Sequence, residues 1–257
     1  RWLRRGAPGP GEAPGLSALL ELHEVVKRFG GLVATNRLSF HVDKGESLGL
    51  IGPNGAGKTT IFSLIMGELR QNAGEIRRNG EEICALPTHA RIRKGVSRTY
   101  QVPRPFAEMD VAGNIRVGLM PNSLRAMLFG AADEAEERAL ARSVGLGDAE
   151  FHRKPSELSM GDLRKLELAR TLATRPEILL LDEVFAGLTT GEIAQISGLL
   201  AEKRADGMTF VIVSHDLRSL APLIDRAVAM TFGAVAAEGG FEDVMNDDAV
   251  KAAYLGH

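Results

Sequence analysis

Nine consecutive residues read Gly52-Pro53-Asn54-Gly55-Ala56-Gly57-Lys58-Thr59-Thr60 and fit the phosphate-loop pattern G-x-x-x-x-G-K-[S/T] at every fixed position. The glycines permit a tight turn whose backbone N–H groups point at phosphate oxygens. Lys58 would reach the β- and γ-phosphates, and the Thr59 hydroxyl would ligate Mg²⁺. The pattern predicts nucleoside triphosphate binding, a property that many kinases and GTPases share. The predicted contact residues are Gly52, Asn54, Gly55, Ala56, Gly57, Lys58, Thr59 and Thr60.

The residues around this loop supply the strand and the helix that a phosphate loop requires. Ser47–Ile51 is a short apolar run, which predicts a strand, and residues 61–68 place apolar side chains at helical spacing. The positive end of that helix would face the bound anion. We therefore expect the loop to join a strand to a helix.

Strand and helix patterns alternate through the rest of the chain, except in one helical stretch. Strands are predicted at residues 20–27, 38–42, 74–79, 178–181 and 209–213, and a helix at residues 190–206. Residues 105–175 instead favour helices, at 131–144 and 160–174. The alternation indicates a parallel sheet covered by helices, with a helical block inserted into it.

Two acids follow the apolar run 178–181, where a buried parallel strand would end. Because sites lie at the carboxyl ends of such strands, we expect Asp182 to hold Mg²⁺, through water, and Glu183 to orient or deprotonate the attacking water. His215 follows the next apolar strand and would lie at the same edge of the sheet. From the residues alone, a γ-phosphate contact and a structural role for His215 are equally well supported.

Composition narrows the class of protein. The 257 residues carry a formal net charge of −2, which gives no support to nucleic-acid binding. Cys84, the single cysteine, cannot form an internal disulfide. No apolar run approaches the ~18 residues that cross a bilayer. We therefore expect any membrane role to be exerted through a partner.

Leu158-Ser159-Met160-Gly161-Asp162 precedes a predicted helix. It resembles the signature sequence of ABC ATPases, usually Leu-Ser-Gly-Gly-Gln, and residues 158–162 are called the signature below. The phosphate loop, Gln101, the signature, Asp182, Glu183 and His215 occur in the order of that family, and the resemblance covers residues 18–257. Further stretches resemble the ATP-binding subunits of branched-chain amino-acid importers, which are similar to those of urea and amide importers. These stretches are residues 29–34, 98–101, 104–106, 186–188 and 253–256.

The resemblance implies an α/β fold of the P-loop NTPase class. In the ABC ATPase form, this fold has a RecA-like parallel-sheet core, an N-terminal antiparallel β subdomain and an inserted helical subdomain. The ATPase domain would span residues 17–257, with the helical subdomain at about residues 102–175. ABC ATPases work as head-to-tail dimers, so Ser159 and Gly161 would contact ATP held by the partner.

Individual roles also follow from the resemblance. Phe29 matches the aromatic residue that stacks on adenine, although simple core packing is the alternative. Gln101 matches the residue that touches Mg²⁺ and the water, and His215 the histidine that holds the γ-phosphate. The implied catalytic residues are Glu183, His215, Lys58 and Gln101. The implied metal-binding residues are Thr59, Gln101 and Asp182.

The function implied is an ATP-hydrolysing subunit that powers import of a small solute, namely a branched-chain or related amino acid, an amide or urea. It would bind ATP and Mg²⁺ and lie peripherally on the cytoplasmic face of the cell (inner) membrane. The implied partners are integral membrane permease subunits, a second ABC ATPase subunit and, indirectly, an extracytoplasmic solute-binding protein, with no nucleic acid. The permease would dock around residues 101–114.

Four residues depart from the family pattern, namely Met160, Asp162, Val184 and Thr189. Asp162 would place negative charge near a triphosphate if it pointed inward. The alternative function is therefore a nucleotide-binding subunit with weak hydrolysis that acts structurally in a heteromeric transporter. A soluble ABC ATPase of DNA repair or translation is a third hypothesis. Such proteins usually carry two modules or a long coiled-coil insertion, which this chain lacks.

Residues 1–16 are rich in proline and glycine, which predicts a flexible linker. Arg1, Arg4 and Arg5 around Trp2 resemble the basic, aromatic margin on the cytoplasmic side of a membrane helix. We hypothesise that this segment is the tail of a fused permease, with an unstructured end as the alternative.

Overall fold

Two β-sheets organise the protein in a computed structural model that describes residues 18–120 and 133–255. The strands are β1 (Ala18–Phe29), β2 (Leu32–Asp43), β3 (Ser47–Ile51), β4 (Ala73–Arg78), β5 (Glu81–Glu82), β6 (Val96–Arg98), β7 (Ile178–Asp182), β8 (Thr209–Val213), β9 (Arg226–Thr231) and β10 (Ala234–Gly239). The helices are α1 (Lys58–Met66), α2 (Thr88–Arg93), α3 (Val111–Leu119), α4 (Glu134–Ser143), α5 (Met160–Ala173), α6 (Thr190–Ala205), α7 (Leu217–Leu220), α8 (Phe241–Asn246) and α9 (Asp248–Leu255). Short 3₁₀ turns lie at Pro155–Glu157 and Ala221–Leu223.

The larger sheet has the order β10-β9-β3-β8-β7-β6. Its pairs from β9 to β6 are parallel, and β10 adds an antiparallel edge. β3, β7 and β8 are buried along their whole length, which explains their continuous apolar runs. Because these three strands are adjacent and parallel, the loops after them meet at one edge of the sheet.

The smaller sheet is antiparallel, with the order β2-β1-β4-β5. Its β1–β2 hairpin turns tightly at two glycines, so that Phe29 pairs with Leu32 across the turn. Asn79 and Gly80 have positive φ and turn the chain between β4 and β5, as the Asn-Gly dipeptide predicts.

Two hydrophobic cores lie on opposite faces of the parallel sheet. Leu179 and Leu181 of β7 face one core, together with α3, α5 and α6. Ile178 and Leu180 face the other, together with α1 and the antiparallel sheet. The alternation follows from the period of two in a strand, and it places the inserted helices and the antiparallel sheet on opposite sides.

Most of the helices and strands predicted from the sequence are present, but they begin and end at somewhat different residues. The helix predicted at 61–68 begins at Lys58, directly after Gly57, and ends before Gly67, whose φ is 73°. The helix predicted at 131–144 is seen as α4, which begins after Asp133 because that side chain accepts hydrogen bonds from Ala135 and Glu136 N–H. Residues 131 and 132 of that predicted helix lie outside the described part of the chain, and so does the linker predicted at residues 1–16.

α3, α4 and α5 fall within the stretch predicted to be helical. No helix in the described ranges is both long enough and apolar enough to cross a bilayer.

Candidate nucleotide site

A cleft of about 320 Å³ opens where β3, β7 and β8 end. Most of the predicted site residues line it, although they come from distant parts of the sequence. They are Phe29, Asn54, Gly55, Ala56, Gly57, Lys58, Thr59, Thr60, Gln101, Asp182, Glu183 and His215. The sheet topology therefore brings the predicted catalytic, metal-binding and adenine-stacking residues together.

The phosphate loop needs glycine at two positions for steric reasons. Gly57 has a φ of 102°, and a Cβ there would lie 2.5 Å from the carbonyl oxygen of Ala34. Gly52 has a φ of 144°, and a Cβ there would lie 2.3 Å from the carbonyl oxygen of Met230. Both distances are below van der Waals contact, so the loop is packed against neighbouring backbone in a conformation that favours glycine.

Lys58 is the buried cation of the cleft. Its Nζ donates hydrogen bonds to the carbonyl oxygens of Gly52, at 2.6 Å, and Pro53, at 2.9 Å. Burial lowers the pKa of this ammonium below its ordinary value, while the charges of Glu183 and Asp182 oppose the shift. The ammonium thus lies within the loop, close to where the pattern places phosphate. Gly52 does not line the cleft, but its carbonyl oxygen accepts the hydrogen bond that holds the Lys58 ammonium.

Asp182 is fixed from two sides. Its Oδ2 accepts a hydrogen bond from Arg98 Nη2 at 2.8 Å, and its backbone N–H donates to the Thr99 hydroxyl at 3.1 Å. Arg98 also donates to Ser63 Oγ and Glu68 Oε2. A guanidinium therefore holds one of the two carboxylate oxygens of Asp182 in place.

Glu183 and His215 form a pair at the ends of β7 and β8. The His215 N–H donates to Glu183 Oε2 at 3.1 Å, and His215 Nε2 lies 3.3 Å from Glu183 Oε1. Oε1 is buried and has no hydrogen-bond partner among the described residues. Burial raises the pKa of the Glu183 carboxyl, against the opposing effect of His215. The carboxylate is thus held at the end of β7 by His215, through the backbone N–H and the imidazole.

Phe29 ends β1 and is 45 % exposed, so core packing does not explain it. The ammonium of Lys27 lies 5.0 Å from the centre of its ring. Leu32, its hairpin partner, also lines the cleft. The ring thus lies exposed at the mouth of the cleft, with one face open to a planar group.

Ser159 and Gly161 lie apart from the cleft, at the N-terminus of α5. The Ser159 hydroxyl accepts from the Asp162 N–H and caps the helix. Asp162 accepts from this hydroxyl at 2.7 Å and from Lys165 Nζ at 3.1 Å. Lys165 therefore offsets part of the charge of Asp162, while it also pairs with Glu192.

Thr189 caps the N-terminus of α6. Its hydroxyl accepts from the Glu192 N–H, and the Glu192 side chain accepts from the Thr189 N–H, which forms a capping box at α6. Glu192 Oε1 lies 2.5 Å from Lys165 Nζ. Two of the four departures, Asp162 and Thr189, are thus connected through Lys165. Val184 is buried, and Met160 is 57 % exposed.

Three contributors escaped prediction. Arg98 holds Asp182, Arg164 holds the backbone of Gln101 and Glu183, and the Tyr254 hydroxyl accepts the Gly52 N–H at 2.9 Å. Arg98 lies between Ser97 and Thr99 at the end of a short strand, and nothing in that stretch of sequence predicts a buried residue with an acidic partner. No local pattern connects Tyr254 to a glycine 202 residues away.

Comparison with known proteins identifies the family. Residues 35–186 match the ABC transporter family. The chain belongs to this family. The high-affinity branched-chain amino acid transport ATP-binding protein BraF of Pseudomonas aeruginosa is 36 % identical over 249 residues, which cover 93 % of this chain and 98 % of that protein. The lipopolysaccharide export system ATP-binding protein LptB of Acidithiobacillus ferridurans is 34 % identical over 243 residues, which cover 94 % of this chain and 98 % of that protein.

Solved structures agree with this assignment. A crystal structure of the ADP conformation of an ATP-binding cassette from an ABC transporter superposes with a TM-score of 0.80 at 30 % identity, and the match covers 93 % of this chain and 99 % of the cassette. The predicted fold class and the resemblance to branched-chain amino-acid transport ATPases are confirmed. The protein is an ABC ATPase, the ATP-binding subunit of a transporter.

Proposed function

We propose that the cleft binds ATP between Phe29 and the phosphate loop and hydrolyses it to power import of a small solute. The observation that carries this proposal is the convergence of the phosphate loop, Gln101, Glu183 and His215 in one cleft at the ends of β3, β7 and β8. Adenine would stack on Phe29, and the backbone N–H groups and Lys58 would bind the phosphates.

The pair formed by the buried Glu183 and the exposed His215 supports a specific division of labour. Glu183 Oε1 orients or deprotonates the attacking water, while His215 contacts the γ-phosphate. Burial raises the pKa of the Glu183 carboxyl and so makes its carboxylate a stronger base than a solvent-exposed one. Lys58 offsets charge on the transferred phosphoryl group.

The donor set also fits Mg²⁺. Thr59 and Gln101 offer neutral oxygens and Asp182 one free carboxylate oxygen, and all three residues line the cleft. Mg²⁺ favours such oxygen sites, with few carboxylates, several waters and substrate phosphates. When bound, Mg²⁺ would neutralise charge on the β- and γ-phosphates.

A second ABC ATPase subunit, like or unlike, would complete each ATP site. Ser159 and Gly161 lie away from the chain's own cleft, at the N-terminus of a helix of 14 residues, where N–H groups attract anions. In a head-to-tail dimer they would meet the ATP of the partner. We propose permease subunits docked near residues 101–114, at the cytoplasmic face of the cell membrane.

For the solute, the name of the BraF relative favours a branched-chain amino acid. On the resemblance of the sequence motifs, the proposal also includes a related amino acid, an amide or urea, supplied by an extracytoplasmic binding protein. The 34 % identity to an export ATPase makes lipid export the competing assignment. In proteoliposomes that contain this chain and its permease, leucine-loaded binding protein should raise ATP hydrolysis several-fold above unloaded binding protein. Stimulation by a lipid substrate and not by amino acids would assign export instead.

A structural subunit with weak hydrolysis is the second candidate, and Asp162 and Thr189 are the residues that favour it. Steady-state turnover separates the two functions. A kcat of about 1 s⁻¹ or more, abolished by Glu183→Gln, would identify an active motor. Tight ATP binding with no turnover in the assembled transporter would identify the structural role.

A further inference from the structure

Arg164 lies in α5, the helix that begins at the signature, and its guanidinium contacts two loops of the chain's own site. Nη1 donates to the carbonyl oxygen of Glu183 at 3.1 Å, and Nη2 donates to the carbonyl oxygen of Gln101 at 3.0 Å. Gln101 and Glu183 are 82 residues apart in sequence (183 − 101), yet one planar cation is bonded to the backbone of both. An arginine fork suits such a double contact because its donors have fixed relative positions.

The backbone of Glu183 needs support of this kind. Its φ is 54°, which places a non-glycine residue in the left-handed region and costs free energy. Its N–H donates to the Val213 carbonyl at 2.9 Å, and its carbonyl accepts both from the Ala186 N–H at 3.1 Å and from Arg164. The strained peptide is thus bonded on both sides, and Arg164 supplies one of these contacts.

The Gln101 loop is attached to the same helix at further points. Arg170 Nη1 donates to the Arg104 carbonyl at 2.8 Å. The buried carboxyl of Glu167 faces the backbone N–H groups of Tyr100 and Arg104, which flank this loop. Of these α5 side chains, Arg164 is the one that also contacts the Glu183 loop.

We propose that Arg164 is a positioning residue that holds Gln101 and Glu183 as one unit on the signature helix. The inference rests on the proposed roles of these two residues. Because α5 begins at Ser159, any movement of the helix when the signature meets a partner's ATP is transmitted to the catalytic residues of its own subunit. Arg164 would therefore act in cis, while the signature acts in trans.

Hydrogen exchange tests the positioning without requiring ATP, a partner or turnover. Arg164→Met should speed amide exchange about tenfold or more in peptides that contain Gln101 and Glu183. Arg170→Met is the matched control on the same helix and should affect the segment near Arg104 but not the one near Glu183. Arg142→Met, at an exposed ion pair, should affect neither. Unchanged exchange in both loops, or an equal rise in all peptides, would overturn the proposal.

Kinetics supply a second readout. Arg164→Met should lower kcat by about 10- to 100-fold, since small misplacements of catalytic groups have effects of this size. The Kd for MgATP should stay within about twofold, because Arg164 does not contact the phosphate loop. Arg164→Lys keeps the charge but lacks the fork, and should recover part of kcat.

Mixed dimers distinguish action in cis from action through the partner. One protomer carries Glu183→Gln, which disables its own site, and the other carries Arg164→Met. If Arg164 acts in cis, the remaining site is impaired, and turnover is no greater than half that of the Arg164→Met homodimer. If Arg164 instead acts on the partner's site, through the signature of its own protomer, the one working site is unaffected. The mixed dimer then keeps about half of wild-type turnover, and the proposal is wrong. Absence of any ATPase in the wild-type dimer would instead count against the proposed function and leave the exchange result intact.

Discussion

Arg98 and Asp182 form a buried ion pair in which Nη2 lies 2.8 Å from Oδ2, with side chains only 3 % and 1 % exposed. The pair joins β6 to the end of β7 and fixes the acid that we assign to Mg²⁺. Arg98 also packs 4.9 Å from the centre of the Tyr100 ring, next to Gln101. Asp182 is thus tied to the segment that leads into the Gln101 loop.

Removal of Arg98 should be strongly destabilising because it leaves a buried carboxylate without its cation. We expect Arg98→Met to lower the free energy of unfolding by about 3–5 kcal/mol. Adding Asp182→Asn should recover a substantial part of that loss. Urea denaturation of the wild type, both single variants and the double variant gives the free energies of unfolding for a double-mutant cycle. If the double variant were less stable than Arg98→Met, the two side chains would not be coupled as described.

Glu167 should make stability depend on pH. Burial raises the pKa of its carboxyl from 4.5 to about 7. Between these values the unfolded chain releases a proton that the folded chain retains, so the free energy of unfolding falls as pH rises from about 4.5 to 7. The loss is on the order of 3 kcal/mol, at ~1.4 kcal/mol per pKa unit.

Glu167→Gln should flatten this part of the profile and be more stable than the wild type at pH 8. The exposed Glu108→Gln is the control and should retain the wild-type slope. Denaturation midpoints of the wild type and both variants, measured at closely spaced pH values, test this prediction. A wild-type slope retained by Glu167→Gln would assign the pH dependence to other groups.

The sequence predicts the larger elements and names most of the residues that are found to line the cleft, and the elements and contacts that it misses have physical causes. Ser47–Ile51 and Ile178–Asp182 were found because strands buried on both faces must be continuously apolar. Val96–Arg98 was missed because it is short and carries two polar residues, whose partners come from elsewhere in the fold. The contacts of Arg98, Arg164 and Tyr254 join residues far apart in sequence, so no local pattern encodes them.

Tyr254 should tune nucleotide affinity through the phosphate loop. Its hydroxyl accepts from the Gly52 N–H, while the Gly52 carbonyl accepts from Lys58. Tyr254→Phe removes one oxygen and should weaken MgATP binding about 3- to 10-fold, since such a bond contributes about 1 kcal/mol. Tyr100→Phe loses a comparable hydrogen bond, to Glu68, away from the loop, and should leave the Kd unchanged. Equal effects of both variants in a calorimetric titration would refute a local role.

Lys165 should permit the unusual signature to approach a partner's nucleotide. Its Nζ lies 3.1 Å from Asp162 Oδ1 and 2.5 Å from Glu192 Oε1. Lys165→Met, made in a Glu183→Gln background, should weaken the ATP-dependent dimer at least about tenfold because the Asp162 charge is no longer offset. Adding Asp162→Gln should restore much of the dimer. Sedimentation velocity with MgATP measures both, and the assignment fails if Asp162→Gln restores nothing.

The most direct test of the account is size-exclusion chromatography of Glu183→Gln with and without MgATP. The substitution should preserve ATP binding and block hydrolysis, so that a head-to-tail dimer accumulates. We predict a dimer with MgATP, a monomer without it, and loss of the dimer when Lys58→Ala is added. A chain that binds MgATP tightly but stays monomeric would contradict self-pairing through Ser159 and Gly161 and would require a different ATPase as its partner.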